Sequence, residues 1–292
     1  MVFANFKHCN LHHQPIDNES SYLERTKRNH HWLGGIEGQK KLRQLRVGVA
    51  GLGGMGSNIA EIMLRLGVGG LKIADPDTID HSNINRQVIA NSQSVGSKKA
   101  HASFKELTTI ATDTEIIAYD QGITADNVEE FVSDVDVIID EIDVFPMPAH
   151  VQLHKAARAR KLPVYSSYII GLGTHIYKFH GENYTFEDFM KNNLLEMQNP
   201  SAEFLVNTFC NPFPTYMQSP MAKATFIEQV QKAQVPIFGA TTYLGQSMLA
   251  IRVMIDYLQL QNLHGPTVTP IMPEFIKIDP YDLTLRICNA NN

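Results

Sequence analysis

The stretch LRVGVAGLGGMGSNIAEIMLRL, residues 45–66, decides how the rest of the chain is read. A short apolar run, Leu45–Ala50, meets Gly51-Leu52-Gly53-Gly54-Met55-Gly56, and from Asn58 to Leu66 the apolar residues recur at helical spacing. A strand, a Gly-x-Gly-x-x-Gly turn and a helix place backbone N–H groups at a helix N-terminus, where the peptide dipoles favour phosphate. Gly51, Gly53 and Gly56 permit the tight turn and close approach of a phosphate, and Gly54 lies within the same turn. Alone, such a turn serves NAD, FAD or ATP equally well.

Working outward, a second apolar run, Gly70–Ala74, ends at Asp75-Pro76-Asp77. The pattern then predicts a helix near Lys98–Ala111, a strand over Glu115–Tyr119 and a short helix over Asn127–Val132. A third strong strand, Val135–Ile139, runs into Asp140 and Asp143, followed by a helix over Met147–Arg160 and a strand over Pro163–Ile169. Strands alternating with helices indicate βαβ units and a parallel sheet. Residues 181–236 are rich in Asn, Gln, Pro, Met and Phe without a long period. They read as a mobile excursion with some helix, a lid or crossing segment. Pro236–Leu260 returns to a helical pattern, and Phe275–Ile278 with Leu283–Ile287 reads as a closing hairpin. The expected architecture is α/β: a Rossmann-like, mostly parallel sheet flanked by helices, with a C-terminal antiparallel extension. Residues 1–30 are expected to form a polar, solvated N-terminal arm. Residues 31–292 are expected to form one domain with a variable segment at about 181–235.

Composition narrows the function. The 292 residues are 43% apolar and 19% charged, with 25 basic against 30 acidic side chains. That balance provides no dense basic face for a nucleic acid. Cys9, Cys210 and Cys288 are few and far apart, which suits a reducing cytoplasm better than a disulfide scaffold. The N-terminus lacks a basic segment followed by an apolar run, so no signal peptide is expected. The span Ser247–Leu260 is interrupted by Arg252 and Asp256 and is too short to cross a bilayer. His8, His12, His13, His30 and His31 lack Cys or His partners at zinc spacing.

Asp75 stands about 20 residues beyond the glycine turn, where an acidic residue commonly binds ribose hydroxyls. It suits a dehydrogenase as well as an ATP site. The discriminating segment is Asp75-Pro-Asp77-Thr-Ile-Asp80-His-Ser82-Asn83-Ile-Asn85-Arg86-Gln87, then Val95-Gly96-Ser97-Lys98-Lys99. A dinucleotide site has no need for this polar run. A triphosphate does, because its charge must be neutralised before a carboxylate attacks the α-phosphorus.

Three motifs in this order, Gly-x-Gly-Gly-x-Gly, Asp-x-Asp-x-x-x-x-Ser-Asn-x-x-Arg-Gln and Val-Gly-x-x-Lys, resemble the ubiquitin-activating-enzyme-like superfamily. Its bacterial members include the ThiF/MoeB-type adenylyltransferases of the thiamine and molybdopterin pathways. The resemblance is close over residues 39–145, looser over 146–180 and 236–290, and absent over 1–20 and most of 181–235. It implies that Gly51, Gly53, Gly54 and Gly56 line the phosphates, that Asp75 and Asp77 belong to the nucleotide site with Asp75 on the ribose, and that Asn83, Arg86 and Lys99 contact phosphate. Lys99 fits the family lysine better than Lys98 by its spacing from Arg86, and Gln87 is expected in the site wall. An aspartate after the next core strand binds magnesium in the family; Asp143 takes that place, with Val144 where Asn is usual, and Asp140 is the neighbouring candidate. An N-terminal arginine of the family reaches into the partner subunit's ATP site, which matches Arg28 best and Arg25 next, and implies a homodimer.

The resemblance further implies an ATP- and Mg2+-dependent adenylation of a carboxylate, the C-terminus of a small ubiquitin-like protein or peptide, with no membrane or nucleic-acid partner. Many relatives hold a structural zinc through two Cys-x-x-Cys pairs; this chain has none, so no zinc is expected. Many also carry a thioester-forming cysteine in the crossing segment, where Cys210 lies; a nucleophilic role and an ordinary small apolar one both stay open for it. Competing readings of the glycine loop are an NAD- or FAD-dependent oxidoreductase and a nucleotide-binding module without catalysis.

Overall fold

A computed structural model describes residues 7–291 of the protein. Among the described residues the strands are β1 (Leu11–His13), β2 (Arg46–Ala50), β3 (Gly70–Ala74), β4 (Glu115–Tyr119), β5 (Val137–Asp140), β6 (Val164–Ile170), β7 (Gly173–Phe179), β8 (Glu274–Asp279) and β9 (Thr284–Asn289). They form one sheet in the order β1-β4-β3-β2-β5-β6-β7-β8-β9. The five from β4 to β6 are parallel, and β1, β7, β8 and β9 run antiparallel to their neighbours. Chain order thus proceeds outward in one direction from β2 through β3 to β4, then jumps to β5 on the other side. Such a reversal opens a crevice at the carboxyl ends of the central strands.

Helices cover both faces, which is why β3, β4 and β5 are buried at every residue and read as continuous apolar runs. The principal helices are α1 (Glu19–Thr26), α2 (Gly35–Leu42), α3 (Gly56–Leu66), α4 (Lys99–Ile110), α5 (Val128–Phe131), α6 (Met147–Ala159), α7 (Phe186–Phe189), α8 (Ala202–Phe209), α9 (Pro220–Gln231) and α10 (Gly239–Leu258). One apolar cluster joins α2, α3, α4 and α10 to one face of the sheet; a second, rich in aromatic rings, joins α5 to α9 to the other. Among the described residues no helix is long and apolar enough to cross a membrane.

One expectation fails here, for a physical reason. The described part of the N-terminal arm is not a solvated arm. Leu11–His13 pairs with β4 as an edge strand, and α1 is docked by Tyr22, which is 1% exposed. The Tyr22 hydroxyl donates to the Gly67 carbonyl (2.7 Å) and accepts from Gln39 Nε2 (2.8 Å), while Arg25 clamps Asp113 through two N–H groups (2.5 and 2.8 Å). One aromatic ring and a set of hydrogen bonds anchor a segment whose composition is polar, so periodicity does not reveal it. Tyr22→Phe removes the donor to a buried helix-end carbonyl, and a loss of about 1–3 kcal/mol is expected in urea unfolding. A loss under about 0.5 kcal/mol, within the usual range for surface changes, would mean that α1 is not part of the cooperative unit.

At 181–235 the expected helix is present as α7, α8 and α9, with Phe186, Phe189, Leu205, Phe209 and Phe213 buried against the α6 side. The antiparallel extension also begins earlier than the hairpin at the end of the chain: β7 folds back on β6 through Gly171, whose φ is +62°.

Candidate active site

The glycine turn closes on itself by backbone contact. Gly51 has φ +87°, and a Cβ there would stand 2.1 Å from the Glu141 carbonyl oxygen; a Cβ on Gly56 would stand 1.8 Å from the Gly51 oxygen. These two positions need glycine for geometry. Gly53 and Gly54 do not contribute to this closure: Gly53 faces the Gln87 amide and Gly54 packs on the aliphatic stem of Arg86. Among the described residues no side-chain hydrogen bond caps the start of α3 at Met55, and in its first turn Ser57 N is bonded to the Gly53 carbonyl (3.1 Å). The N-terminus of a helix is a favourable place for a phosphate.

Asp75, at the end of β3, is 4% exposed and accepts from Leu52 N (2.6 Å) and Asp77 N (2.8 Å). It therefore braces the turn, with one bond on each oxygen and a further lone pair on each. Burial raises its pKa, against the pull of Lys99 and the two N–H groups. Lys99 opens α4, is itself buried, and donates to Asp77 Oδ2 at 2.8 Å. Lys98 turns the other way, to Asp120 at 2.6 Å. Asn83 closes the turn after Asp80 by accepting from Asp80 N, which leaves the following residues, Arg86 and Gln87, beside the glycine loop. Arg86 is held by Ser82 O and Asn85 Oδ1, both at 3.0 Å, and the Gln87 amide oxygen is buried without a partner among the described residues.

Across the crevice, β5 ends at Asp140 and the chain continues through Glu141 to Asp143. Asp143 is solvent-accessible, yet protein crowds it closely enough to raise its pKa; N–H groups of Phe145 and Val144 and the charges of His150 and Lys99 oppose that rise. Burial lowers the pKa of Arg86, and Asp143 is the charge that counters this. Asp75, Asp77, Arg86, Lys99 and Asp143 thus share one electrostatic neighbourhood at the carboxyl ends of β2, β3 and β5. Among the described residues no group of three or more His, Cys, Asp or Glu side chains could hold a metal ion. A cation at Asp143 would therefore complete its shell from nucleotide oxygens and water, as magnesium does.

Asp140 is occupied elsewhere. It is fully buried, with His150 Nδ1 at 2.7 Å and His154 Nε2 at 3.0 Å from its Oδ2, and Ile142 N on its Oδ1. Burial works against its ionisation, but the two histidines hold its carboxyl below the usual carboxylate range. Glu141 is buried too, accepting from Ser167 and from Gln246 of α10, and burial pushes its carboxyl well above that range. Sequence reasoning misses both histidines and Glu141. The one signal that could have found the histidines is their spacing, His150 and His154 lying four apart on one face of α6.

Between α9 and α10, Val235 packs with the aromatic cluster, and Gly239 at the start of α10 sits against the Asn85 backbone. Arg28 lies elsewhere in the same chain. It is exposed in the turn after α1, whose neighbour Asn29 donates to Leu66 O at the far end of α3. Arg25, the second candidate, is committed to Asp113. Cys210 is 5% exposed in the aromatic cluster, and burial pushes its thiol up to about 12, so it is not poised as a nucleophile. Iodoacetamide at pH 8 on the native protein is expected to label Cys9 and Cys288, both half-buried, well before Cys210. Peptide mass mapping reads the order, and early labelling of Cys210 would restore it as a candidate nucleophile.

The chain is similar to several known proteins. The sulfur carrier protein ThiS adenylyltransferase of Bacillus subtilis (strain 168) is 36% identical over 113 residues, covering 38% of this chain and 34% of that one. The SAMP-activating enzyme E1 of Haloferax volcanii is 31% identical over 148 residues, 51% of this chain and 52% of that one. The matched stretches thus span about a third to a half of these relatives. The solved structure of E. coli MccB with ATP superposes with a TM-score of 0.66 at 16% identity, over 91% of this chain and 71% of that one, a likeness of fold. The ThiF family model matches residues 27–291, and with nearly the whole chain inside that match this protein belongs to the ThiF family.

Proposed function

We propose that this protein is an adenylyltransferase that uses ATP to activate the C-terminal carboxylate of a small carrier protein or peptide. The observation that carries the reading is the meeting of a glycine turn, two buried-edge cations and an accessible carboxylate in one crevice. Arg86 and Lys99 neutralise the triphosphate, and Asp75 offers its remaining lone pairs to the ribose. A magnesium ion held by Asp143 would neutralise phosphate charge as the reaction proceeds. A carboxylate oxygen of the substrate bonds to the α-phosphorus, the bond from that phosphorus to the β-bridging oxygen breaks, and pyrophosphate leaves with the electron pair. The chain's own contribution is alignment and charge stabilisation. The names of the curated relatives, which act on ThiS and SAMP, support a carrier-protein substrate.

Calorimetry with ATP and Mg2+, followed by ATP–pyrophosphate exchange with peptides bearing free or amidated C-termini, tests the reading. Exchange is expected only with a free carboxylate. Failure to bind ATP at millimolar concentration, or tighter binding of NAD, would sink it. The oxidoreductase alternative leaves Arg86, Lys99 and Asp143 without work.

Arg28 enters as the group offered to a partner subunit. It lies at the end of α3 remote from its own glycine turn, so a role in catalysis requires a second copy. Mixing inactive Arg28→Ala with inactive Asp143→Ala is then expected to restore up to about a quarter of wild-type exchange, because half of the dimers are mixed and each has one intact site. No recovery after subunit exchange would show that Arg28 acts in its own chain or not at all.

A further inference from the structure

We infer that His150 is a positioning residue which fixes the Asp143 loop through a hydrogen bond to the Asp143 backbone carbonyl. The inference rests on the reading of Asp143 as the carboxylate that meets the metal-bound nucleotide. Its observations are independent of that reading. The His150 ring is fully buried on α6 and stacks on Phe186 at 5.5 Å. Its Nδ1 lies 2.7 Å from Asp140 Oδ2 and its Nε2 lies 3.0 Å from the Asp143 carbonyl oxygen. The Asp143 carbonyl can only accept, so Nε2 carries the proton of that bond. His154 differs in one respect. It reaches the same Asp140 oxygen at 3.0 Å and stacks on the same Phe186 at 4.4 Å. Its hydrogen bonds do not include the 141–146 loop.

The consequence is local geometry. Asp140 pins Ile142 N, and His150 pins the Asp143 carbonyl, so the loop is tied at two successive residues. Holding that carbonyl, with Ile142 N already held, restricts φ and ψ at Asp143 and so narrows the range of directions its side chain can take. A site that tolerates errors of only about 0.5 Å depends on such a tie, and loss of an outer partner of a metal ligand typically weakens metal binding by about 10- to 100-fold.

Two variants separate the bonds. His150→Asn places an amide N–H where Nδ1 stands, keeping the Asp140 bond and losing the Asp143 bond. His150→Gln reaches the Nε2 position and does the reverse. ATP binding measured across a Mg2+ series is expected to show the Mg2+ midpoint raised about tenfold or more in His150→Asn, with His150→Gln nearer wild type. Hydrogen exchange of residues 141–146 is expected to rise in His150→Asn only. Equal effects of the two, or a larger effect of His150→Gln, would overturn the inference and leave His150 as support for Asp140. If the wild type shows no Mg2+-dependent nucleotide binding, the adenylation reading fails, and the exchange pattern of 141–146 still decides the role of His150. Should neither variant fold, nitrogen-15 NMR of the wild type decides: a slowly exchanging Nε2–H of His150 coupled across a hydrogen bond to the Asp143 carbonyl is expected, and an Nε2 without a proton overturns the proposal.

Discussion

Asp143→Ala is expected to lower ATP–pyrophosphate exchange by about 100- to 1,000-fold, the range seen when one preorganised group facing transition-state charge is removed. The expectation comes from where the carboxylate stands. It is accessible, it lies in the same field as Arg86 and Lys99, and no side chain forms an ion pair with it at contact distance among the described residues. A group so placed has its electrostatic capacity directed at whatever enters the crevice. Metal-free ATP should bind the variant as well as or better than wild type, since a carboxylate has been removed from beside three phosphates. The defect should therefore appear in turnover and in the Mg2+ requirement rather than in nucleotide affinity.

Stability gives the same variant a second readout. The folded state raises the pKa of Asp143, so folding disfavours its charged form. At neutral pH that penalty is present, and it disappears as pH falls through the folded pKa. Replacing the carboxylate by a neutral side chain should leave the melting temperature unchanged or higher. Less activity with equal or greater stability is the pattern of a residue retained for function. A tenfold loss or less, or a loss accompanied by unfolding, would move Asp143 out of the site. Asp143→Asn separates charge from shape: it should be nearly as inactive as the alanine variant.

How far the sequence discloses such a site depends on where the information resides. The stretch from β2 to β3 is legible because buried parallel strands are continuous apolar runs and the turn between β2 and α3 demands glycine. Arg86 and Lys99 are legible because a dense polar run beyond Asp75 needs a reason. Asp140 and Asp143 illustrate the limit. Three residues apart and chemically identical, they diverge only when α6 delivers His150 and His154 to one and leaves the other in the cleft. That distinction is tertiary, and pattern alone does not contain it. The same holds for α1, where Tyr22 and Arg25 dock a polar segment through partners at Gly67 and Asp113, and for 181–235, whose aromatic residues carry no clean period because α7, α8 and α9 are short.

The glycine turn itself carries the other large expected effect. Gly56→Ala should destabilise the protein by more than about 3 kcal/mol, a large fraction of the 5–15 kcal/mol that holds a typical domain. Its Cβ would lie 1.8 Å from the Gly51 oxygen and 2.7 Å from the Gly51 carbon, both backbone atoms. No rotamer relieves that contact; α3 must move. But α3 buries Ser57, Asn58, Ile59, Ala60, Met63 and Leu64, and Asn58 Nδ2 donates to Thr242 of α10 at 3.2 Å. Displacing the helix start breaks packing along its whole inner face. Gly53→Ala is the matched control. The nearest atom to its Cβ is Gln87 Nε2 at 3.9 Å, an ordinary contact, and its φ lies outside the left-handed region. Stability should change by no more than about 0.5 kcal/mol. A methyl group at the mouth of the turn should nonetheless hold a phosphate away from the N–H groups, and a tenfold loss of ATP affinity corresponds to about 1.4 kcal/mol. Urea unfolding and calorimetry on the two variants separate the roles: one glycine is required by the fold, the other by the ligand. Normal ATP binding in Gly53→Ala would show that the phosphates do not lie against this turn, and the reading of the crevice as a nucleotide site would fall with it.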